Sequence, residues 1–311
     1  MFRVLLLIAF VVFASIKSFA ASYNYTANKD VVGKIQTEKK KKNDTMASIA
    51  RRYDVGMDEL VLVNSNINPY MLMPGTVVIL PTQFILPKAP RRGVVINLPE
   101  KRMYYFKGNK VLSFPVGIGK VGWATPVGKM KIISKMKNPA WTIPQAVWQE
   151  QFKYGNVLPK KIPPGPDNPL GKHALRLSKS NYLIHGTNDP SGVGQRVSAG
   201  CLRMYPEDVK FLYSNLPLNI VVTIVNQPGK FSTRNKQIVV ESHPPLKEDV
   251  NDRNIEDGSD LSLPMTLSEA VDFTFDLIDN QGMEPIAARD IYAVINNSFG
   301  IPTKVAEKAR A

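Results

Sequence analysis

The chain has 311 residues, 44% hydrophobic and 21% charged, with a formal net charge of +14. This is the composition of a folded, soluble protein, and the length suggests about two or three domains of roughly 100–200 residues each. Residues 244–311 hold 6 Lys/Arg against 13 Asp/Glu and the remainder 34 against 13; the basic residues are scattered, with no arginine-rich aromatic module. That pattern argues against nucleic acid and suits an anionic envelope surface or a merely soluble basic one.

Arg3 precedes an apolar run from Val4 to Ala14, and Ser18-Phe19-Ala20 offers small residues at cleavage positions. Residues 1–20 therefore read as a secretory signal peptide, cut after Ala20 and too short to span a bilayer. No other stretch approaches the roughly 20 apolar residues of a membrane helix, so export without a transmembrane segment is expected.

Residues 21–43 are polar and end in a lysine run, Lys39 to Lys42, expected to be loop or linker. A compact unit follows at 44–81. Asp44 or Thr45 can cap a helix carrying Met46, Ile49, Ala50 and Tyr53 at helical spacing. Met57, Leu60, Val61 and Val63 suggest a second short helix. After Pro74-Gly75, the run Val77 to Leu80 reads as a strand stopped by Pro81. This unit resembles a LysM module at Asp44-Thr45, Ile49-Ala50, Tyr53, Val55, Leu60, Asn64, Gly75, Val78-Ile79 and Pro81. The resemblance implies affinity for N-acetylglucosamine-containing glycans, and 21–81 is assigned to the module. It departs from the family where the first strand should stand, because a lysine run occupies that place.

Residues 82–93 form a Pro/Arg linker. From Val94 the texture is that of short strands separated by turns, which indicates an all-β sandwich or barrel. Residues 134–172 interrupt it with Trp141, Trp148 and seven prolines. A long irregular segment in a compact domain is often a lid or binding loop, and Trp141 is expected to wall a substrate cleft. Strand resumes at His173 to Leu177, Glu207–Leu216 reads as a short amphipathic helix, and the β-branched run Ile220 to Val225 should close a domain spanning 94–228. Residues 229–262 read as a polar, flexible linker containing His243. The remaining 263–311 read as a helical extension. There Thr266-Leu267-Ser268-Glu269 opens one helix as a capping box, and Pro285 starts a second that carries Ile291, Val294 and Ile295. The fold expected is mainly β, with a small α/β module before it and a helical tail after it.

The chemistry gathers in residues 181–205. Cys201 is the only cysteine and His185 is one of three histidines. A short apolar run, Tyr182-Leu183-Ile184, ends at His185, and the glycine-rich stretch to Ser198-Ala199-Gly200-Cys201 reads as a loop. An unpaired cysteine in an exported chain is a free reactive thiol, an intermolecular bridge or an inert core residue. Glycine before it and histidine upstream favour a Cys/His acyl-transfer site. His185 would take the thiol proton, and backbone N–H groups at Gly200–Cys201 would hold the oxyanion. Arg203 and Arg196 would grip a substrate carboxylate or tie loop carbonyls together. A metal or other cofactor is not expected, since neither a second cysteine nor a close histidine pair is present.

Residues 184–204, IHGTNDPSGVGQRVSAGCLRM, resemble the catalytic segment of the YkuD-type L,D-transpeptidases, in which HGT, a spacer and S-x-G-C precede an aliphatic residue and Arg or Asn. The resemblance runs from about Val94 to Val225 and includes PVGIGKVGWATPVG and GPDNPLG. It implies Cys201 as nucleophile, His185 as base and Gly186 as the backbone position that completes the triad. Ser198, Gly200 and Arg203 match the supporting positions. The x position holds Ala199, where many members have His. The implied substrate is the tetrapeptide stem of periplasmic peptidoglycan. The thioester formed at diaminopimelate would pass to another stem (a 3-3 crosslink) or to a lysine of an outer-membrane lipoprotein. Transfer to water would make it an L,D-carboxypeptidase. A wall-binding scaffold without activity is the reading from another class.

Overall fold

The computed structural model describes residues 21–26, 30–179, 181–234, 236–246, 267–297 and 299–308. The expected signal peptide, the charged run at 247–262 and Thr266 lie outside the described residues.

The molecule is built on a nine-stranded sheet. Its spatial order is Ala21–Asn24, Lys110–Pro115, Arg102–Lys107, Gly93–Asn97, Val221–Val225, Gly128–Lys137, His173–Leu177, Leu183–His185 and Leu202–Arg203. Two neighbouring pairs are parallel: Val221–Val225 with Gly93–Asn97, and Leu183–His185 with Leu202–Arg203. Continuous apolar runs such as Val94-Val95-Ile96 arise because the sheet is covered on both faces. Val94 and Ile96 enter one core with Phe114, Leu175, Ile184, Leu202 and, from the Pro206–Asn215 helix, Val209 and Leu212. Val95 enters another with Val32, Phe84, Tyr104 and Val225.

Residues 21–43 depart from the expected linker. Ala21–Asn24 pairs with Lys110–Pro115 as the sheet's edge strand, and Val31–Gly33 pairs with Gln83–Ile85. Gln36–Lys39 pairs with Val77–Leu80. The strand missing from the LysM pattern is therefore present and runs into the first of the lysines, Lys39. Its short, polar sequence hides it, because a two-stranded edge buries little of either face. In the first LysM helix, Thr45 Oγ1 accepts the Ser48 N–H and Ser48 Oγ accepts the Thr45 N–H. Asn64 ends the second helix and clamps it to the strand: its amide donates to Leu60 O and Ile79 O at 2.7 and 2.8 Å and its oxygen accepts the Ile79 N–H at 2.8 Å.

The expected irregular segment starts later than 134, since Ser134 to Lys137 complete the Gly128–Lys137 strand; residues 138–172 form a cap with structure of its own, a Gln145–Lys153 helix and a ladder pairing Trp141–Thr142 with Lys161–Ile162. Fully buried Asn168 organises it. Its amide donates to Pro139 O at 2.9 Å and Pro163 O at 3.0 Å, and its oxygen accepts the Leu170 N–H at 2.9 Å. The proline-dense backbone, short of donors, thus has its carbonyls gathered by one side chain.

The C-terminal region corrects the expected linker and helical tail. Gly229–Arg234 and Gln237–Ser242 form a hairpin, extended by Thr303–Glu307 and Glu284–Pro285 into a four-stranded sheet. The Leu267–Asn280 and Ala288–Asn296 helices pack on it through Ala270, Val271, Ile278, Ile291, Val294 and Ile295 against Ile238, Val240 and Val305. Pro285 lies in a strand and the helix begins at Ala288. The hairpin escaped notice because its apolar run, Ile238-Val239-Val240, is only three residues long and stands in polar sequence.

Candidate active site

Leu183–His185 and Leu202–Arg203 run parallel, with Ile184 opposite Leu202 and His185 opposite Arg203. Ile184 and Leu202 point into the core. Strand alternation sends His185 and Arg203 to the other face. Cys201 immediately precedes the Leu202–Arg203 strand, so its backbone runs alongside the strand that ends at His185, sixteen residues earlier in the chain.

His185 is buried, and its Nδ1 lies 2.6 Å from the Gly186 carbonyl. A carbonyl only accepts, so Nδ1 carries the proton and Nε2 is left as a base. Burial lowers the imidazole to a pKa of about 4, the Gly186 carbonyl opposes that shift, and the Arg203 charge adds to it. Gly186 itself packs closely, since a Cβ there would approach Val209 Cγ1 to 3.1 Å. Cys201 is half-buried and unpaired. Its Sγ donates to Asn181 O at 3.6 Å. Burial raises its pKa, offset in part by the Leu183 N–H and the Arg176 charge. The resting site therefore holds a neutral thiol and a neutral imidazole, a pair suited to general-base activation.

Ser198 shapes the turn before the sulfur. Its hydroxyl accepts the Gly200 N–H at 3.2 Å and donates to Cys201 O at 2.5 Å. The Gly200 N–H, expected as an oxyanion donor, is thereby engaged, while the Cys201 N–H has no partner among the described residues. Gly200 adopts φ 94°, and a Cβ there would come within 2.9 Å of the Tyr182 ring, so glycine is required. Arg196 Nε donates to Gly119 O at 3.0 Å, tying down a loop carbonyl. Arg203 instead keeps a buried Nε without a partner among the described residues and lies against Gly192, within the field of Asp189. Trp141 is half-buried in the cap ladder opposite Ile162.

Sequence reasoning passed over three residues that build this site. Thr125 Oγ1 donates to Gly200 O and accepts the Gly119 N–H, both at 3.0 Å. Asn181 supplies the carbonyl that meets the thiol, at φ 73°, where asparagine is among the few tolerated residues. Asn168 fixes the cap whose Gly171, at φ 65°, abuts the 186–187 backbone; a Cβ there would sit 2.7 Å from Thr187 N. A Thr-Pro pair and a proline-flanked Asn were the available signals.

His243, expected in a flexible linker, is buried, and its Nε2 lies 2.8 Å from Glu241 Oε1. With Glu100 these groups could hold a metal, their ligand atoms lying within 4.8 Å of one another. The Lys230 ammonium already bridges the two carboxylates at 2.8 and 2.7 Å and supplies the charge a cation would bring.

Residues 91–226 match the L,D-transpeptidase catalytic domain family YkuD, and residues 41–81 match the LysM domain family. The chain is 40% identical over 235 residues to the "Probable L,D-transpeptidase YcfS" of Escherichia coli, covering 73% of this chain and 71% of that protein. It is 32% identical over 300 residues to the "Probable L,D-transpeptidase ErfK/SrfK" of Salmonella typhimurium, covering 94% and 96%. Among solved structures it is similar to an L,D-transpeptidase from Mycobacterium smegmatis, at 17% identity and a TM-score of 0.31, over 49% of this chain and 64% of that one. This chain belongs to the YkuD L,D-transpeptidase family and carries a LysM domain.

Proposed function

We propose that the protein is a periplasmic peptidoglycan L,D-transpeptidase that works through a Cys201 thioester. The observation that carries this reading is the hydrogen bond from His185 Nδ1 to Gly186 O, which leaves Nε2 as a base at the end of the strand that pairs with the one Cys201 precedes. Sγ attacks the carbonyl of the diaminopimelate that precedes the terminal D-Ala, and His185 Nε2 takes the thiol proton. The oxyanion forms beside the Cys201 N–H. Collapse breaks the amide bond, His185 returns the proton to the leaving amine, and free D-Ala departs. An acceptor amine then attacks the thioester and gives its proton to His185. A new amide forms and the thiol is regenerated. Gly200 and Ser198 keep the turn in shape, and the Arg203 guanidinium receives a stem carboxylate. Arg196 holds the Gly119 carbonyl, and Trp141 walls the cleft from the cap.

The acceptor is a second stem, giving a 3-3 crosslink, or a lipoprotein lysine; with water the same thioester gives L,D-carboxypeptidase activity. The LysM domain holds the enzyme on the glycan, and the apolar leader at 1–20 directs it out of the cytoplasm. Muropeptide profiling of cells making wild type or Cys201→Ala, with intact-mass spectrometry after meropenem, tests this. Wild type should gain one covalent adduct and Cys201→Ala none, and the product that depends on the thiol identifies the acceptor. A folded wild type that binds glycan but takes no adduct would leave only a scaffold.

A further inference from the structure

Where the LysM domain meets the catalytic domain, two carboxyl groups are buried against each other. Asp54 follows the first LysM helix at φ 55° and is 5% exposed, and Asp208 lies in the first turn of the Pro206–Asn215 helix and is 2% exposed. The two side chains are within hydrogen-bonding reach of one another. Both oxygens of Asp54 and Oδ2 of Asp208 lack a well-formed partner among the described residues. The surrounding cations are already matched: Arg102 binds Glu59, Arg51 binds Glu207, Arg52 binds Asp44 and Lys101 binds Asp58. Tyr205 donates its hydroxyl to Val55 O. An ionised carboxylate left unpaired in an interior is strongly disfavoured. Burial pushes both acids above the usual carboxylate range; at Asp208 the Asp54 charge adds to it and Arg51 opposes it, at Asp54 the Asp208 hydroxyl and Arg102 oppose it, and Glu207 raises both. Two carboxyls in contact share one proton, which leaves a single negative charge without its counterpart.

Among the described residues, one backbone nitrogen acts on that charge: the Ala21 N–H lowers Asp54 from nearby without a well-formed hydrogen bond to either oxygen. It is held there by the edge strand, in which Ala21 stands opposite Ser113, whose Oγ accepts from Arg102. Two residues on, Tyr23 packs edge-on against Phe84 with ring centroids 6.1 Å apart. Immediately before Ala21 stands Ser18-Phe19-Ala20, the small-residue pattern of a leader cleavage site.

We propose that Asp54 and Asp208 are the binding site for the α-ammonium group of Ala21, created when the leader is hydrolysed at the Ala20–Ala21 bond. Water supplies the hydroxyl that completes the Ala20 carboxylate and a proton to the departing amine, which takes a further proton from solvent at neutral pH. The nitrogen need not move. An amide with one donor and no charge becomes a cation with three donors, matched to a pair that carries one negative charge. Cleavage thereby locks the LysM helix, the edge strand and the helix that follows the catalytic motif to one another, and the precursor is the less stable form. This rests on the export reading given above.

The test compares the full mature chain beginning at Ala21, released from a fusion by a protease that leaves nothing behind, with the same chain carrying a Gly-Ser extension and with its α-amine acetylated. The chain beginning at Ala21 should melt several degrees above the other two. In Asp54→Asn/Asp208→Asn the three forms should melt together. Equal melting of the three wild-type forms, or a gap that survives in the double variant, overturns the proposal. If the double variant does not fold, Asp208→Asn alone is read the same way. The folded wild-type α-amine should also react with an acylating reagent at least tenfold more slowly than in the unfolded chain; equal rates overturn the proposal. N-terminal sequencing of the exported protein separates the two readings. A start other than Ala21 overturns the clamp while leaving export intact, and an uncleaved chain overturns both.

Discussion

At the scale of single residues, the site is governed by how burial sets protonation. His185 is held neutral far below the usual range of imidazole, so the base survives into acid. Acylation by a carbapenem should fall off on the acid side near pH 4, where His185 is expected to protonate, and not near 6.5, where a free imidazole would. An acid limb near 6.5 would mean that the buried imidazole is not the base. The same shift carries a stability consequence. An imidazole whose folded pKa lies below its unfolded value stabilises the fold fully above about 6.5, and that contribution is lost as pH falls towards the folded value. For His185 the window closes near 4, and for His243, lowered by burial, near 3. Cys201 and His185 stood out in the sequence because the chain offers one cysteine and few imidazoles. The state of the Gly200 N–H was not, since it depends on a Ser198 hydroxyl that turns back on its own loop.

At the scale of elements, the cap stands or falls with one amide. Asn168 gathers carbonyls from both ends of the proline-rich excursion, and Gly171 then meets the backbone after His185. Asn168→Ala removes the buried donor and leaves those carbonyls unpaired, at a cost of about 1–3 kcal/mol. Chemical denaturation should show that loss, and acylation should slow even at temperatures where the variant stays folded. Unchanged acylation would show that the cap does not position the site. Sequence periodicity announced the LysM helices and the Ile220 to Val225 strand, whose apolar spacing is set by their own burial. It missed Gln36–Lys39 and the 229–242 hairpin, whose strand character comes from pairing with Val77–Leu80 and Thr303–Glu307.

At the scale of the whole molecule, buried charge joins the parts. Arg102, on the main sheet, forms a two-pronged pair with Glu59 of the LysM domain at 2.8 and 2.6 Å, and donates to Ser113. Gly194, in the loop between His185 and Cys201, packs directly on Gly56; a Cβ at 194 would lie 2.2 Å from the Gly56 Cα. Glu241, from the C-terminal sheet, accepts the Ile85 N–H and shares Lys230 with Glu100. Removing one partner from a buried pair strands the other's charge, so Glu59→Gln should cost about 3–5 kcal/mol. Calorimetry should show one cooperative transition for wild type, splitting or broadening in Glu59→Gln. Two independent transitions in wild type would mean that these contacts do not couple the domains.

The sequence by itself determined the family. A lone thiol, a histidine at fixed spacing and the glycines between them are local requirements, written where they act. Tertiary structure decided what surrounds them: that the polar N-terminal stretch becomes sheet, that the supposed tail linker becomes a third core, and that the loop joining base and sulfur rests on the LysM helices. Those outcomes depend on partners distant in the chain, and the energy that selects them comes from shared burial and matched charge, which no short stretch of sequence carries alone.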